Sequence, residues 1–102
     1  MSTKNTNILT GTTSTGIKFQ IDTRVKDDAR LLLYLTRMQS KTLDDLAKGQ
    51  AMMSILELLF GSGEGLEMFF NEVAAKHDGI ADKESLIGEL MDIFEVLDIK
   101  NS

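Results

Sequence analysis

Cysteine, proline and tryptophan are absent from the 102 residues, and histidine and tyrosine occur once each. Without cysteine there is neither a disulfide framework nor a thiolate metal site, and a reducing cytoplasm is the expected setting. Without proline nothing in the chain locks φ or removes a backbone donor, which favours long uninterrupted helices. The single imidazole, His77, closes most nucleophile–base constellations and leaves a metal site short of a second nitrogen ligand. No apolar stretch approaches the roughly 20 residues of a membrane span. The opening "MSTKNTNILTGTTSTGIKFQ" has no apolar h-region, so no secretory signal is expected.

What is present is an ordinary globular composition, 42% apolar and 26% charged, at a length that supports one modest core. The net charge of −5 is unevenly spread. Residues 1–51 carry eight Lys and Arg against five Asp and Glu; residues 52–102 carry three against eleven. An acidic chain without a basic, aromatic-studded face is a poor ligand for phosphates, so no nucleic-acid partner is expected. Either the halves fold together and their charges pair, or the basic and acidic ends suit self-association or a basic partner.

The pattern predicts a mainly α domain of about four helices with a short N-terminal strand or hairpin. Residues 1–16 hold six threonines and two glycines and read as a flexible arm. "IKFQID" then alternates, with Ile17, Phe19 and Ile21 on one face and Lys18, Gln20 and Asp22 on the other, so 17–22 reads as a strand with one wet side. A hairpin pairing residues near 6–10 with 17–21 is expected, and a lone hairpin needs the helices or another subunit to pack on. Helices fill 23–100. The first starts near a Thr23 cap with Asp27 and Asp28 at its positive end. The second opens on Thr42 and Asp45 as a near capping box, with Asp44 in the first turn. The third spans about Glu64 to Lys76, with a stripe of Leu66, Phe69, Phe70, Val73 and Ala74. Asp82 caps the fourth, whose inner face is Leu86, Leu90, Ile93, Phe94 and Leu97. Glu84, Glu89, Asp92, Glu95 and Asp98 give that helix an acidic outer surface.

Three features could have carried chemistry. "LLFGSGEGLEMFF" has glycines at 61, 63 and 65, but a phosphate loop needs a following Lys and Ser or Thr, and Leu66 and Glu67 stand there instead. A helix hinge uses every residue: Gly61 ends one helix in left-handed geometry and Ser62 caps the next. "KHDGIADKES" aligns with a calcium loop only by its glycine, because Ala74, Lys76 and Ser85 would fall at ligand positions. His77, after the apolar stripe of the third helix, reads as a cap or half-buried residue. No catalytic, cofactor or metal residue is assigned. An acidic hydrolase or accessory enzyme subunit would need carboxylates that converge in a pocket.

What remains is surface. Met38, Met52, Met53, Met68 and Met91 all fall on expected helices, and methionine suits surfaces that accept varied partners. In the second half of "TLDDLAKGQAMMSILELLF" only Ser54 and Glu57 interrupt the apolar residues. A helix this apolar is either central or covered by another chain. Its excess selects Met52, Met53, Leu56 and Leu59 as candidate partner-binding residues, with self-association or a bound helix as the cover.

The order of these motifs resembles a known family. "GIKFQID" leading into "RVKDDARLLLYLTRMQ", the hinge "LLFGSGEGLEMFFNEVAAKHDG" and the closing "ESLIGELMDIFEVL" together are similar to a small tail assembly chaperone of long-tailed bacteriophages, over nearly the whole chain. The resemblance implies a helical, non-enzymatic protein acting in the cytoplasm of the infected bacterium and absent from the finished virion. Its implied partners are the tape-measure protein, which it keeps soluble, and tail-tube subunits, which it helps recruit. Many members have a longer form made by a ribosomal frameshift near the end of the short gene. A Lys100-Asn101 pair can be encoded by an A-rich slippery run. The alternative is a small oligomeric helical adaptor or regulator acting by contact alone.

Overall fold

In the computed structural model, which describes residues 7–99, the alternation after Gly16 becomes a strand with one dry face. Strand β1 (Ile8–Thr12) pairs antiparallel with β2 (Lys18–Asp22). Leu9 stands opposite Ile21 and Gly11 opposite Phe19, a pairing displaced along β1 from the one the pattern suggested. Ile17, Phe19 and Ile21 are buried while Lys18 and Gln20 are exposed. The Gly11–Phe19 pair explains the glycine: a Cβ there would lie 2.6 Å from Phe19 Cζ. Of the segment read as an arm, residues 8–12 are thus β1 and 13–16 its turn, and residues 1–6 lie outside the described residues.

Four helices follow: α1 (Ala29–Met38), α2 (Asp45–Phe60), α3 (Glu64–Lys76) and α4 (Lys83–Leu97). The chain is therefore mainly α with a two-stranded hairpin. Aspartates set the starts, because a short carboxylate accepts the orphan N–H groups of a first turn. Asp82 caps α4 as expected, accepting from Ser85 N–H at 2.8 Å. Two other starts differ from expectation. Thr23–Asp27 is a 3-10 turn capped by Asp22, and α1 begins only after Asp28, whose extended backbone (φ −79°, ψ 122°) breaks the run. Asp44, not Thr42, caps α2, accepting from Ala47 N–H at 2.8 Å, while Thr42 N–H is taken by the Ser40 hydroxyl.

Asp22 and Asp28 repeat one device. Each accepts the N–H of the arginine two residues on and forks onto its guanidinium, Arg24 and Arg30 respectively. Those hydrogen bonds hold both carboxyls at a pKa of about 2. At the α2–α3 hinge, Gly61 turns the chain with φ 82° and ψ 177°, a positive-φ conformation outside the left-handed helical region. Ser62 does not cap α3; the cap position is Gly63, which has no side chain to offer. Gly65 lies within α3, where a Cβ would meet Phe60 O at 2.8 Å. At the far end of α3, Asp78 (φ 59°) and Gly79 (φ 88°) share the left-handed turn. Gly79 N–H closes on Ala74 O at 2.7 Å, a Schellman closure that satisfies an orphan carbonyl.

The inner face of the hairpin closes a core built by α2, α3 and α4. β1 packs on α4, β2 on α2, and α3 joins α2 to α4. Ile17, Ile55, Leu56, Val73, Leu90 and Ile93 are fully enclosed, each contributing about 1.5–3 kcal/mol of transfer free energy. Helix α1 is peripheral. It packs along α2 and against the 3-10 turn, and Leu31 is its one fully buried residue.

Among the helical glycines, Gly49 and Gly65 separate open space from close packing. A Cβ at Gly49 in α2 meets nothing within 4 Å, whereas one at Gly65 collides with backbone. Gly49→Ala is expected to raise stability by about 1 kcal/mol through helix propensity, and Gly65→Ala to lower it by about 1–3 kcal/mol. Urea denaturation of both variants tests the pair; a stabilised Gly65→Ala would contradict the packing described.

Candidate interaction surfaces and a buried polar clamp

The four residues singled out on α2 turn inward. Met52, Leu56 and Leu59 are buried in the chain's own core, Leu56 completely, and Met53 is half-buried against it. The apolar excess that pointed to them is the core of the protomer. A helix apolar around its circumference is central or covered by a second chain, and here α1, α3 and β2 supply the cover.

Large apolar side chains reach the surface elsewhere. Leu32 and Leu33 on α1, Leu43 in the α1–α2 connection and Leu46 at the start of α2 are all exposed, as are Met68, Ile80 and Met91. The run "LLLYL" offers more leucines than one buried stripe takes, and "LDDLA" two more, but the pattern does not say which of them face out. Only the packing partner decides which leucine faces in.

The main polar construction is also one that pattern reading passed over. Glu89, expected on the acidic outer surface of α4, is 2% exposed. Its Oε2 accepts from the Thr15 hydroxyl at 2.6 Å and lies 2.8 Å from His77 Nε2. One turn along α4, Asp92 Oδ2 accepts both Ser14 N–H (3.0 Å) and the Ser14 hydroxyl (2.6 Å). The hairpin turn is thereby held on one face of α4. Thr13 completes the turn: it is buried, its Oγ1 accepts from Ile17 N–H at 3.1 Å, and it stands 3.1 Å from Thr15 Oγ1. The threonine-rich segment thus supplies hydroxyl donors to carboxylates on the last helix, and His77, half-buried at the end of α3, joins them.

Burial works against ionising Glu89, yet hydrogen bonds from Thr15 and His77, with Thr13 close by, outweigh it and set its carboxyl below the ordinary 4.5. An ionised carboxylate only accepts, so His77 Nε2 carries the proton in that contact. The other oxygen, Oε1, is buried with no hydrogen-bond partner among the described residues. The cleft outside this clamp is lined by Ser14, His77, Asp82, Glu84 and Asp92. No group of three or more His, Cys, Asp or Glu suited to a metal ion occurs among the described residues. No helix among them is long and apolar enough to cross a membrane.

No protein-family model, curated protein or solved structure matches this chain.

Two expectations follow. Because the folded chain holds Glu89 ionised at pH values where the unfolded chain is protonated, the stability it contributes is complete above the ordinary carboxyl value and is lost as pH falls through the lowered one. Glu89→Gln should therefore flatten the acid limb of a stability-against-pH curve, while Glu89→Ala should cost about 2–3 kcal/mol at neutral pH. Thermal melts across the acid range check this; an unchanged acid limb in Glu89→Gln would remove the clamp from the stability account. Leu56→Ser should cost about 3 kcal/mol or more as a cavity carrying a buried hydroxyl, measurable by urea titration. A stable, fully folded Leu56→Ser would place this residue outside the core.

Proposed function

We propose that this chain is a tail assembly chaperone of the kind made by long-tailed bacteriophages. In this reading it holds the tape-measure protein soluble in the cytoplasm of the infected bacterium and helps recruit tail-tube subunits to it, without entering the finished virion. The observation that carries the reading is apolar surface left over by the fold. Leu32, Leu46, Met68 and Ile80 are 69, 72, 61 and 65% exposed. Single exposed hydrophobics are ordinary on any protein. Here Leu32 and Leu33 are exposed on α1, and Leu43 and Leu46 at the entry to α2, the helix that α1 packs on. An aggregation-prone helical client asks for accessible, adaptable apolar faces of this kind.

The test is co-expression with the tape-measure protein encoded beside this chain, followed by size exclusion. The chaperone reading expects the client to move from the pellet into a soluble complex that co-elutes with this chain. A client that stays insoluble, with and without any longer form of this chain, overturns it. A soluble complex with some other protein alone would favour the alternative, a small oligomeric helical adaptor.

A further inference from the structure

Helices α1 and α4 run side by side in opposite directions without packing closely on each other. One packs on α2 and the 3-10 turn, the other on α3 and β1. Concavities open at both ends of the space between them. One, of about 480 Å³, joins the start of α1 to the end of α4 through Leu31, Leu32, Leu35 and Ile99. The other, of about 220 Å³, joins Met38 at the end of α1 to Ile87 near the start of α4, over Gly49 and Met52 of α2. Between them Leu35 and Met38 continue the α1 wall, both half-buried. Met91, one turn beyond Ile87, is 39% exposed on α4. The two concavities share no lining residue; joined along Leu35 and Met38 they would form one apolar furrow, floored by α2 at the Gly49 end. The α1 wall is ten residues long, which is about 15 Å or three helical turns.

Gly49 bears on whether this space is incidental. A glycine inside a helix costs about 1 kcal/mol relative to alanine, and among the described residues nothing lies within 4 Å of the position a Cβ at Gly49 would take. The missing side chain keeps the floor of the furrow low. The charges at the rim differ between the ends. Asp27, Asp28 and Asp98 stand at one end with Lys26, and Arg30 is already engaged by Asp28. Lys48 and Lys83 stand at the other with Asp45. Residues 1–6 and 100–102 contain one apolar residue between them, Met1, so these segments hold no apolar stripe to lay in it.

We propose that the furrow between α1 and α4 receives one amphipathic helix of a partner protein, its acidic first turn at Lys48 and Lys83 and its basic last turn at Asp27 and Asp98. That charge pattern also suits an isolated helix, whose own dipole favours acidic first turns and basic last turns. The apolar stripe of the guest, at i, i+3, i+4 and i+7, meets Leu32, Leu35, Ile87 and Met91. This deepens the chaperone reading and rests on it for the identity of the natural guest, not for the shape and charge of the furrow.

The probe is a synthetic amphipathic peptide of about 14 residues, with leucines in that stripe, glutamates in its first turn and lysines in its last. It is titrated into the full chain with labelled Leu, Ile and Met methyl groups. The expected result is methyl shifts centred on Leu32, Leu35, Ile87 and Met91. A peptide with its end charges exchanged should bind about tenfold more weakly, and a scrambled peptide should leave those methyls unmoved. Gly49→Leu should plug the furrow and weaken binding about tenfold or more. Gly88→Leu, which fills a second open helical glycine on the other flank of α4, should bind as wild type does. Shifts centred elsewhere, undiminished binding to Gly49→Leu, or equal binding of the scrambled peptide overturn the proposal. So does a concentration-dependent dimer of this chain that covers the same methyls, since the occupant is then a second copy.

Failure of the furrow and failure of the chaperone reading are separable. If Gly49→Leu solubilises the co-expressed tape-measure protein as well as wild type does, the furrow is not the client site and the chaperone reading stands. If wild type binds the peptide but leaves that client in the pellet, the furrow stands and the chaperone reading falls.

Discussion

Glu89 has to be ionised, enclosed and hydrogen-bonded at the same time, and the attachment of the hairpin depends on that combination. A two-stranded hairpin is marginal in water. This one persists because Ile17, Phe19 and Ile21 enter the core and because its turn offers hydroxyls to α4. The relation runs both ways. An enclosed carboxylate without donors would cost several kcal/mol, and the Thr15 hydroxyl and His77 ring are what make its burial tolerable. The clamp also joins the end of α3 to the middle of α4, so three separate stretches of chain meet at one oxygen atom.

With the hairpin fixed, the distribution of apolar surface follows. Helix α2 lies beneath α1, α3 and β2 and spends its hydrophobic residues within the protomer. Helix α1, held mainly by α2, buries one stripe and leaves Leu32 and Leu33 in solvent. The apolar excess in the sequence is therefore real, but it is displaced from the helix that carries most of it to the helix that is covered least.

Much of the architecture was legible because it rests on period. The alternation of Ile17, Phe19 and Ile21 marked the strand, and Leu86, Leu90, Ile93, Phe94 and Leu97 marked the inner face of α4; all eight are buried. Asp82 was legible as a cap because few competing candidates stood near it. Thr23 and Thr42 were misleading because neighbouring aspartates, Asp22 and Asp28 in one case and Asp44 in the other, accept the capping hydrogen bonds instead. The clamp was hidden for a different reason. Thr15 and Glu89 are 74 residues apart, and a glutamate among the acidic positions of α4 carries no local mark of burial. Met52, Leu56 and Leu59 show the limit of a hydrophobicity count: an all-round apolar helix looks the same whether its cover comes from the same chain or another.

The clamp also bears on the order in which the molecule can be completed during synthesis. Ser14 and Asp92 are separated by 78 residues, nearly the full span of the described chain. The hairpin leaves the ribosome before the four helices, and β1 has no α4 to close against until most of the described chain has been made. Contacts of such separation form late, because the intervening chain must be ordered or looped out first. A nascent chain of this protein therefore carries its hairpin without α4 for most of its translation, with α2 the earlier element that β2 can meet, and a chain stopped before Glu89 has the strand without the helix that locks it.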